Sequence, residues 1–382
     1  MKIFVLTKRQ YMGKDLLDDR FGRFRELPLE LARRGHHVSG LALSYRHRSE
    51  AIVKDTDEHR SASVLWHSVN LVTKIPSGPL AYWNTARKLI RDFQPDLVWA
   101  GSDAYHAICG WQLGVLTNVR CVIDLYDNFE AFGLSKIPGV RSWFRKAVIK
   151  ADGVTCFNQR LADFIVDSYP RHKATVIIEN GFVQKFFFRE DREQCRKQLG
   201  LPLDARIMGT AGALLPGRDI TTLFRAFELL AAEDDRIHLA LAGPRPRSLR
   251  IPSGPRVHDL KLLPHGQVRL LMNSLDLGVL TYRESPQGRY SFPQKLYEML
   301  ACRIPVIGAC VGSMQDLLKE IPECLFAPED PESLAAAARF QFERRKIPTI
   351  NLPTWEDQAA KLEDFFEAVI AEDAGQHAGS SQ

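Results

Sequence analysis

Several features that would assign this 382-residue chain to a simple class are missing from its sequence. No apolar run reaches the roughly 18 residues that a transmembrane helix needs, and the apolar start before Lys8 is too short for a signal sequence. The seven cysteines are dispersed, with no C-x-x-C pair and no Cys/His cluster at metal-ligand spacing. We therefore expect a cytoplasmic protein with reduced thiols and no structural zinc.

The common nucleotide-binding fingerprints are also missing. Neither G-x-G-x-x-G nor G-x-x-x-x-G-K-[ST] occurs, so a standard dinucleotide or P-loop site has no support. What is there is an ordinary globular composition, 45% hydrophobic and 25% charged. The charge is uneven, because residues 1–180 hold 26 Lys and Arg against 19 Asp and Glu, whereas the rest hold 25 against 27. The basic first half indicates either an anionic partner or a solvated surface with a modest bias.

Short apolar segments alternate with amphipathic ones along the chain. "KIFVLT", "HVSGLAL" and "VRCVIDLYD" are typical of strands, and segments such as "RFRELPLELARRGHHV" between them are typical of helices. The pattern restarts at "ARIMGTAGAL" and runs to "DPESLAAAARFQFERR". It predicts an α/β fold with two open parallel sheets, in two domains joined near residues 181–189. Ligands of such sheets lie beyond the carboxyl ends of the strands, so we expect the site between the domains.

Two segments of the second half carry candidate ligand-binding residues. In "TAGALLPGRDITTLFRAF" a strand, a glycine-containing loop and Arg218 precede a helix, an arrangement that can hold a phosphate. In "SFPQKLYEML", residues 291–300, Glu298 lies near the start of a predicted helix and could accept two hydrogen bonds from ribose hydroxyls. The alternatives are a solvated loop arginine for Arg218 and a helix-surface pair with Lys295 for Glu298.

The first half offers a basic amphipathic segment and one candidate base. "VRSWFRKAVIK", residues 140–150, predicts a helix with four basic residues. Such a helix suits either an anionic membrane surface or the ordinary covering of a sheet. His106 lies near a predicted strand end, where it could serve as a base or as a hydrogen-bonded structural histidine.

Beyond these patterns, the chain resembles the retaining GT-B glycosyltransferases of family 4. "FPQKLYEMLACRIPVIG" resembles the P-x-x-x-x-E helix and following strand of that family, and "AGALLPGRDITTLFRAF" resembles the opening of its second domain. "VIIENGFV" resembles its domain junction, "LARRGHHV" its first helix-to-strand turn, and "DLYDNFEAF" its D-x-H-D/E strand end. "TWEDQAAKLEDFFEAVI" resembles the C-terminal helix that returns to the first domain. The likeness spans nearly the whole chain.

The resemblance implies a domain plan. Residues 1–182 are expected to form a Rossmann-like acceptor domain and residues 183–354 a Rossmann-like nucleotide-sugar donor domain, facing each other across a cleft. A helix at 355–371 is expected to pack back on the first domain, and residues 372–382 to form a disordered tail.

The resemblance also implies roles for single residues. Glu298 is expected to bind the donor ribose, and Arg218 to take the place of the diphosphate-binding lysine. The predicted donor-binding set is Gly212, Arg218, Ser291, Phe292, Pro293, Lys295, Leu296 and Glu298, with the amides of residues 291–295 lining the phosphate and sugar. Asp127 is expected to point into the cleft from the acceptor domain. Together with Tyr126 and His106 it makes up the predicted catalytic set.

Four positions depart from the family pattern. Tyr290 stands where the first Glu of E-x7-E is expected, Ala213 where an Arg is expected, and Tyr126 where a His is expected. The Gly-Gly loop after the first strand is missing, with only Gly13 and Gly22 nearby. The departures predict an altered donor-sugar site.

The resulting hypothesis is a retaining, metal-independent glycosyltransferase of polysaccharide or glycoconjugate biosynthesis. It would move a sugar from a nucleotide-sugar co-substrate to a glycan or lipid-linked acceptor, with no cofactor and no nucleic-acid partner. Peripheral attachment to the inner face of a membrane is one alternative for its location. A nucleotide-sugar epimerase of the same architecture and a non-catalytic GT-B scaffold subunit stay open as alternative functions.

Overall fold

The computed structural model describes residues 1–11, 14–71, 78–131, 133–171 and 173–378. It divides into two compact units. The first unit comprises Met1–Gly181 and Trp355–Gln382, and the second comprises Phe182–Thr354. The sequence placed the boundary one residue later, after 182. Phe182 belongs to the second unit because its amide donates to the Pro353 carbonyl, 3.1 Å away, and it bridges to Thr354.

Short strands and helices alternate along both units. The strands are β1 (Lys2–Lys8), β2 (Gln10–Tyr11), β3 (Lys14–Asp15), β4 (His37–Ser44), β5 (Ile52–Thr56), β6 (Ser63–Asn70), β7 (Leu97–Gly101), β8 (Arg120–Leu125), β9 (Gly153–Cys156), β10 (Thr175–Ile177), β11 (Arg206–Ala211), β12 (Ile237–Ala242), β13 (Val257–Asp259), β14 (Leu277–Leu280), β15 (Val306–Ala309) and β16 (Leu325–Phe326). The helices are α1 (Arg23–Arg33), α2 (Gly78–Phe93), α3 (Ala104–Thr117), α4 (Val140–Lys150), α5 (Gln159–Ser168), α6 (Arg192–Leu199), α7 (Ile220–Glu233), α8 (His265–Ser274), α9 (Pro286–Tyr290), α10 (Gln294–Ala301), α11 (Gly312–Leu318), α12 (Pro331–Arg344) and α13 (Trp355–Ala378).

The first unit is built on an eight-stranded sheet in the order β10-β9-β8-β7-β1-β4-β6-β5. All neighbours pair in parallel except the edge strand β5, which is antiparallel to β6. The central strand β1 is buried from Ile3 to Thr7, as a strand covered on both faces must be. The sequence patterns indicated the parallel strands from β1 to β10 but missed β5 and β6.

The C-terminal helix α13 packs inside the first unit, against α1. The Phe366 ring meets the Trp99 ring of β7 at 5.7 Å, and the Glu363 carboxylate lies 2.7 Å from the His36 ring. The sequence ended this helix at 371 and began a disordered tail at 372. The helix instead runs to Ala378, because nothing before Gly375 interrupts it. Residues 379–382 lie outside the described residues.

The second unit is built on a six-stranded parallel sheet in the order β13-β12-β11-β14-β15-β16. Its core joins the apolar faces of α7 and α12 to β11, β12, β14 and β15. The strand order reverses on either side of β11, so the loops after β11 and β14 leave the sheet at a topological switch point. The predicted α/β fold with two parallel sheets is confirmed, and that switch point positions the candidate site.

Candidate active site

Two glycines end neighbouring strands at the carboxyl edge of the second sheet. Gly212 follows β11 with φ 132°, and Gly243 follows β12 with φ 140°. A Cβ atom on Gly243 would stand 1.8 Å from the Gly212 carbonyl oxygen, so only glycine fits this approach. The sequence singled out Gly212 and missed Gly243, whose signal was a glycine directly after the apolar strand "LALA". Together they leave this edge bare of side chains, and a ligand can approach the backbone.

Helix α10 brings two of the predicted residues to the same place. The Lys295 ammonium group donates a 2.6 Å hydrogen bond to Oε2 of Glu298, which is buried with the apolar residues of the helix. Lys295 Cε lies 3.5 Å from where a Cβ of Gly212 would stand. Lys295 therefore joins the glycine loop to Glu298. The pair named above as an alternative for Glu298 is present, and it adds a cation to the predicted site.

Arg218 ends a single 3₁₀ turn, Pro216–Arg218, before α7. The turn is held by the next residue, Asp219, whose carboxylate accepts hydrogen bonds from the Thr222 hydroxyl (2.8 Å) and the Glu329 amide (3.0 Å). Burial raises the pKa of Tyr282, which follows β14, and the charge of Arg218 opposes that rise, so the two side chains are near each other. No carboxylate of the described residues pairs with Arg218. A cation with no partner at this edge is available to an anionic ligand.

The segment between α9 and α10 is less open than the sequence predicted. The Ser291 amide donates to the Gly288 carbonyl (3.2 Å), and the Leu296 amide donates to the Pro293 carbonyl (2.8 Å). Leu296 has a fully buried side chain, and Phe292 packs edge-on against the Tyr297 ring. The tight turn into α10 uses the amides of Ser291 and Leu296, and also that of Gln294, which donates to the Phe292 carbonyl. Leu296 therefore stabilises the core, and the amides of residues 291 and 294 are already engaged.

In the first unit, His106 lies beneath the carboxyl edge of the sheet. Asp103 caps α3, and its Oδ1 accepts from the His106 amide (3.1 Å) and lies 2.7 Å from the His106 ring. The Tyr45 hydroxyl donates to Asp103 Oδ2 at 2.9 Å. Burial alone would raise the pKa of Asp103, but His106 and the charge of Lys8 lower it to about 2. His106 is fully buried among tyrosine rings, so a substrate does not reach it in this conformation.

Lys8 is a charged residue that the sequence patterns missed. It ends β1, and its ammonium group lies 5.9 Å from the centre of the Tyr126 ring. Burial lowers the pKa of Lys8, while the nearby carboxylates of Asp103 and Asp127 oppose that shift. Lys8 ends β1, and Asp103 and Asp127 follow β7 and β8; these three strands are adjacent in the sheet. The signal for Lys8 in the sequence was therefore that charged residues stand at the ends of three predicted strands, which share one edge of the sheet.

Tyr126 and Asp127 differ in accessibility although they are neighbours in the chain. The Tyr126 hydroxyl donates to the Ser102 carbonyl (3.2 Å), and its ring packs edge-on against Tyr11 and Phe129. Burial raises the pKa of Tyr126 well above its usual value. Asp127 is half-buried, and its Oδ1 accepts from the Asn128 amide at 2.8 Å. Of the three predicted catalytic residues, only Asp127 reaches the surface of this edge.

A buried ion pair underlies the same edge. The Arg23 guanidinium lies 3.0 Å from the Asp124 carboxylate, and their side chains are 1% and 0% exposed. Arg23 also donates to the Glu179 carbonyl (2.9 Å) and to Asn180 Oδ1 (3.2 Å), which ties α1 to the segment after β10. The sequence did not single out Arg23. Gly13, noted above beside the first strand, lies outside the described residues.

Two further features of the described residues concern metal binding and membrane crossing. Within the described ranges, no group of three or more His, Cys, Asp or Glu side chains is placed to hold a metal ion. Among the same residues, no helix combines the length and the apolar character that crossing a membrane requires.

The sequence matches two family descriptions that cover most of the chain. Residues 23–181 match "Glycosyl transferase 4-like domain", and residues 205–342 match "Glycosyl transferases group 1". The "Putative teichuronic acid biosynthesis glycosyltransferase TuaC" of Bacillus subtilis (strain 168) is 30% identical over 297 residues, 75% of this chain and 69% of that protein. The "D-inositol 3-phosphate glycosyltransferase" of Geodermatophilus obscurus is 28% identical over 258 residues, 62% of this chain and 56% of that protein.

Solved structures share the fold at low sequence identity. Sucrose-phosphate synthase from Thermosynechococcus elongatus has a TM-score of 0.72 at 18% identity, over 99% of this chain and 98% of that one. Anabaena Alr3699/HepE, solved in complex with UDP, has a TM-score of 0.67 at 17% identity, over 99% of this chain and all of that one. The predicted GT-B fold is confirmed, and the chain belongs to the group 1, family 4 type of glycosyltransferases.

Proposed function

We propose that this glycosyltransferase binds a nucleoside-diphosphate sugar at the carboxyl edge of the second unit and transfers the sugar to a glycan or lipid-linked glycan. The reaction proceeds with retention of configuration at the anomeric carbon and without an essential metal ion. The observation that carries the proposal is the position of Lys295, which contacts Glu298 and lies beside the side-chain-free loop at Gly212.

Each group at this edge has a task in such a reaction. Glu298 accepts hydrogen bonds from the two ribose hydroxyls, and its pair with Lys295 orients the carboxylate. Arg218 and Lys295 stabilise the negative charge that develops on the departing diphosphate. Gly212 and Gly243 let the phosphates approach the backbone. Positioning and charge stabilisation of this kind are the main demands of transfer from an activated donor.

The departures from the family pattern bear on the donor sugar. Tyr290 replaces a carboxylate that would accept hydrogen bonds from sugar hydroxyls, and Ala213 replaces a cation beside the phosphates. Because Ala213 removes one cation from the phosphates, Lys295 must neutralise a larger part of their negative charge. With Tyr290 in that position, the sugar is recognised by fewer charged contacts, which favours a donor whose hydroxyls differ from the common hexoses.

The acceptor meets the first unit at Lys8 and Asp127. A half-buried lysine between two carboxylates offers both a donor and acceptors to sugar hydroxyls or to a phosphate. The named relatives support an acceptor from cell-envelope or small glycoconjugate chemistry, since one is described as acting in teichuronic acid biosynthesis and another on D-inositol 3-phosphate. A neighbour of the same fold was solved with UDP, which supports a uridine nucleotide among the donors to test first.

We assign the proposed membrane contact to the exposed side of helix α4. Phe144 and Val148 are buried in the first unit, so the apolar face of α4 is turned inward, and the helix packs against α3. Trp143 remains 48% exposed beside Lys146, whose ammonium group lies 5.2 Å from the centre of the Trp143 ring. Only this exposed side, with Lys150, is free to meet an anionic membrane. Peripheral attachment to the inner face of the membrane would be weak and salt-sensitive.

The test is a screen of nucleotide sugars by thermal shift, followed by incubation of each stabilising donor with candidate acceptors. A donor that binds only the native protein raises its melting temperature. The expected result is release of nucleoside diphosphate that depends on the acceptor and persists in EDTA, with an α-linked product from an α-linked donor by NMR. Free isomerised sugar nucleotide would indicate an epimerase instead, and no binding to any donor would indicate a scaffold.

A further inference from the structure

A cavity opens at the amino edge of the sheet of the second unit, opposite the edge that carries the candidate donor site. It has a volume of about 540 Å³ and lies at the amino ends of β14 and β15, lined by Leu275 and Ile304 at its base. Four arginines line it: Arg189, Arg192, Arg303 and Arg345. Ligands of parallel sheets ordinarily bind at the carboxyl edge, so neither the donor nor the acceptor accounts for this cavity.

Two of the three carboxylates around the cavity are paired with arginines, and the third caps a helix. Glu190 pairs with Arg269 at 2.8 Å, and Asp191 accepts from the Gln194 amide as the cap of α6. Asp276, which lies next to the cavity, pairs with both Arg192 and Arg196. Of the acidic residues that face the cavity from the described part of the chain, Asp191 alone has no basic partner, against three arginines without an acidic one.

Three arginines are left with positive charge and no acceptor. Within the described part of the chain, Arg189, Arg303 and Arg345 have neither an ion pair nor a side-chain hydrogen bond, and all three are exposed at the cavity. Arg303 (φ 54°) and Arg345 (φ 43°) adopt the left-handed conformation at the ends of α10 and α12. Glycine is the ordinary residue for such helix ends, because a side chain strains the backbone in that conformation. The dipole of each helix favours a cation at its carboxyl end. It does not explain why Arg303 and Arg345 converge with Arg189 on one cavity.

The cavity is separate from the donor site. Helix α10 has Lys295 in its first turn and Glu298 in its middle, and it leads to Cys302 and Arg303 at the cavity. Its eight residues span about 12 Å at 1.5 Å per residue. A diphosphate held at Gly212 and Lys295 therefore lies at the opposite end of this helix from Arg303.

We propose that this cavity binds a phosphate ester with a small apolar body. Guanidinium groups match phosphate oxygens in geometry and charge, and three unpaired ones suit a dianion. The buried side chains of Leu275, Cys302 and Ile304 at the base suit an apolar group. The phosphate is either that of a soluble metabolite or that of a lipid headgroup, and the chemistry at the arginines is the same.

The test uses the full chain with the donor site disabled by Arg218→Ala and Glu298→Ala. Phenyl phosphate is titrated at constant ionic strength by calorimetry, with inorganic phosphate as the body-free comparison. We expect saturable binding that is tighter for phenyl phosphate. Replacing Arg189, Arg303 and Arg345 by Gln should weaken it by at least about tenfold, the loss expected for charged hydrogen bonds. A second variant, Arg303→Gly with Arg345→Gly, removes two charges at positions where glycine relieves the backbone.

The matched control replaces three exposed cations of the second unit outside the cavity, Lys197, Arg225 and Lys319, by Gln. It should leave the affinity for phenyl phosphate unchanged. No saturable binding, or an equal loss in the control, would overturn the proposal. Flotation with phosphatidic acid vesicles distinguishes the two sources of the phosphate. Flotation that depends on the three arginines indicates a lipid headgroup. Binding of phenyl phosphate without such flotation indicates a soluble ester. Because the donor site is disabled throughout, these results are independent of nucleotide-sugar transfer.

Discussion

The carboxyl edges of the two sheets differ in how their charged side chains are neutralised. In the first unit, Asp103 is held by His106 and Tyr45, and Asp124 is held by Arg23 in a pair with almost no exposure. In the second unit, no carboxylate of the described residues pairs with Arg218, and Lys295 is 30% exposed although it contacts Glu298.

The difference separates charges that hold the fold from charges that await a ligand. Buried charges must be paired, since an unpaired one costs several kcal/mol. Partly exposed cations at a glycine-rich edge lose little by exchanging water for phosphate oxygens. Substitutions that break the buried pairs of Asp103 and Asp124 at the first edge should therefore mainly change stability, and substitutions of Arg218 and Lys295 at the second should mainly change ligand binding.

The largest effect is expected from Arg23→Met. It leaves Asp124 charged and buried without its partner, which should lower the free energy of unfolding by about 3–5 kcal/mol. Urea denaturation measures the loss. The control is Arg339→Met on α12, where both side chains of the Arg339–Glu233 pair are exposed and the loss should be small. Similar losses from both variants would contradict the contrast between buried and exposed pairs.

Next in size is Glu298→Ala. Loss of charge-assisted hydrogen bonds to the ribose should cost about 1.5–3 kcal/mol of transition-state stabilisation, a fall in kcat/KM of about 10- to 150-fold. The exposed Glu228→Ala on α7 serves as control. Steady-state kinetics with the donor found in the screen would decide. Wild-type turnover together with an unchanged KM would refute the donor-site role of Glu298.

Arg218→Ala should have a smaller and more selective effect. It should weaken binding of a nucleoside diphosphate by about tenfold while leaving the bare nucleoside unaffected, because a phosphate-binding cation contacts only the phosphates. Calorimetry with both ligands measures the difference, and Arg225→Ala on α7 is the control. Equal weakening of both ligands would mean that Arg218 acts elsewhere, for example by supporting the loop before α7.

For the proposed membrane contact, each substituted residue should change the free energy of vesicle binding by a smaller amount. Changing Arg141, Arg145, Lys146 and Lys150 together to Gln should release the protein from anionic vesicles in flotation, at about 1 kcal/mol for each charge near the surface. Because Arg141 and Arg145 both pair with Glu130, changing only Lys146 and Lys150 should account for most of the release. Wild type should also detach as salt rises. If these substitutions leave flotation unchanged, α4 has only the role of packing against α3 in the first unit.

The smallest effect concerns two stacked histidines on β12 and β13. His238 Nδ1 lies 2.9 Å from His258 Nε2, and burial lowers the pKa of both rings. The unfolded chain then binds protons more readily, so stability should fall as the pH drops below about 6.5. Changing both to Gln should flatten the dependence of the unfolding free energy on pH between 5.5 and 7.5. An unchanged slope would mean that other groups control it.

Strand and helix prediction succeeded where the apolar pattern was continuous. β1, β7 and β8 are buried on both faces and stand out as apolar runs. β6, "SVLWHSVN", alternates with polar residues, and β5 exposes Ile52 at the sheet edge, so neither was recognised. The last helix was predicted too short by seven residues because its end has no proline and only one glycine.

The sequence pointed to candidate site residues within one motif and not to residues joined only by the sheet. Arg218 and Glu298 were singled out because they lie in recognisable segments, at the end of a loop and in a short helix. Lys8, Asp103 and Gly243 were missed because each is ordinary in its own segment. They become part of an edge only when β1, β7, β11 and β12 take their places in the sheets.

The sequence by itself determined the alternation of strands and helices, the two parallel sheets and the family to which the chain belongs. These depend on local periodicity and on short segments, which a linear chain displays directly. Only the tertiary structure decided that His106, Tyr126 and Leu296 are buried. The same holds for the contact of Lys295 with Glu298 beside Gly212, and for the convergence of three arginines on one cavity. The physical reason is that burial and charge pairing depend on which strands become neighbours, and residues far apart in the chain settle that order.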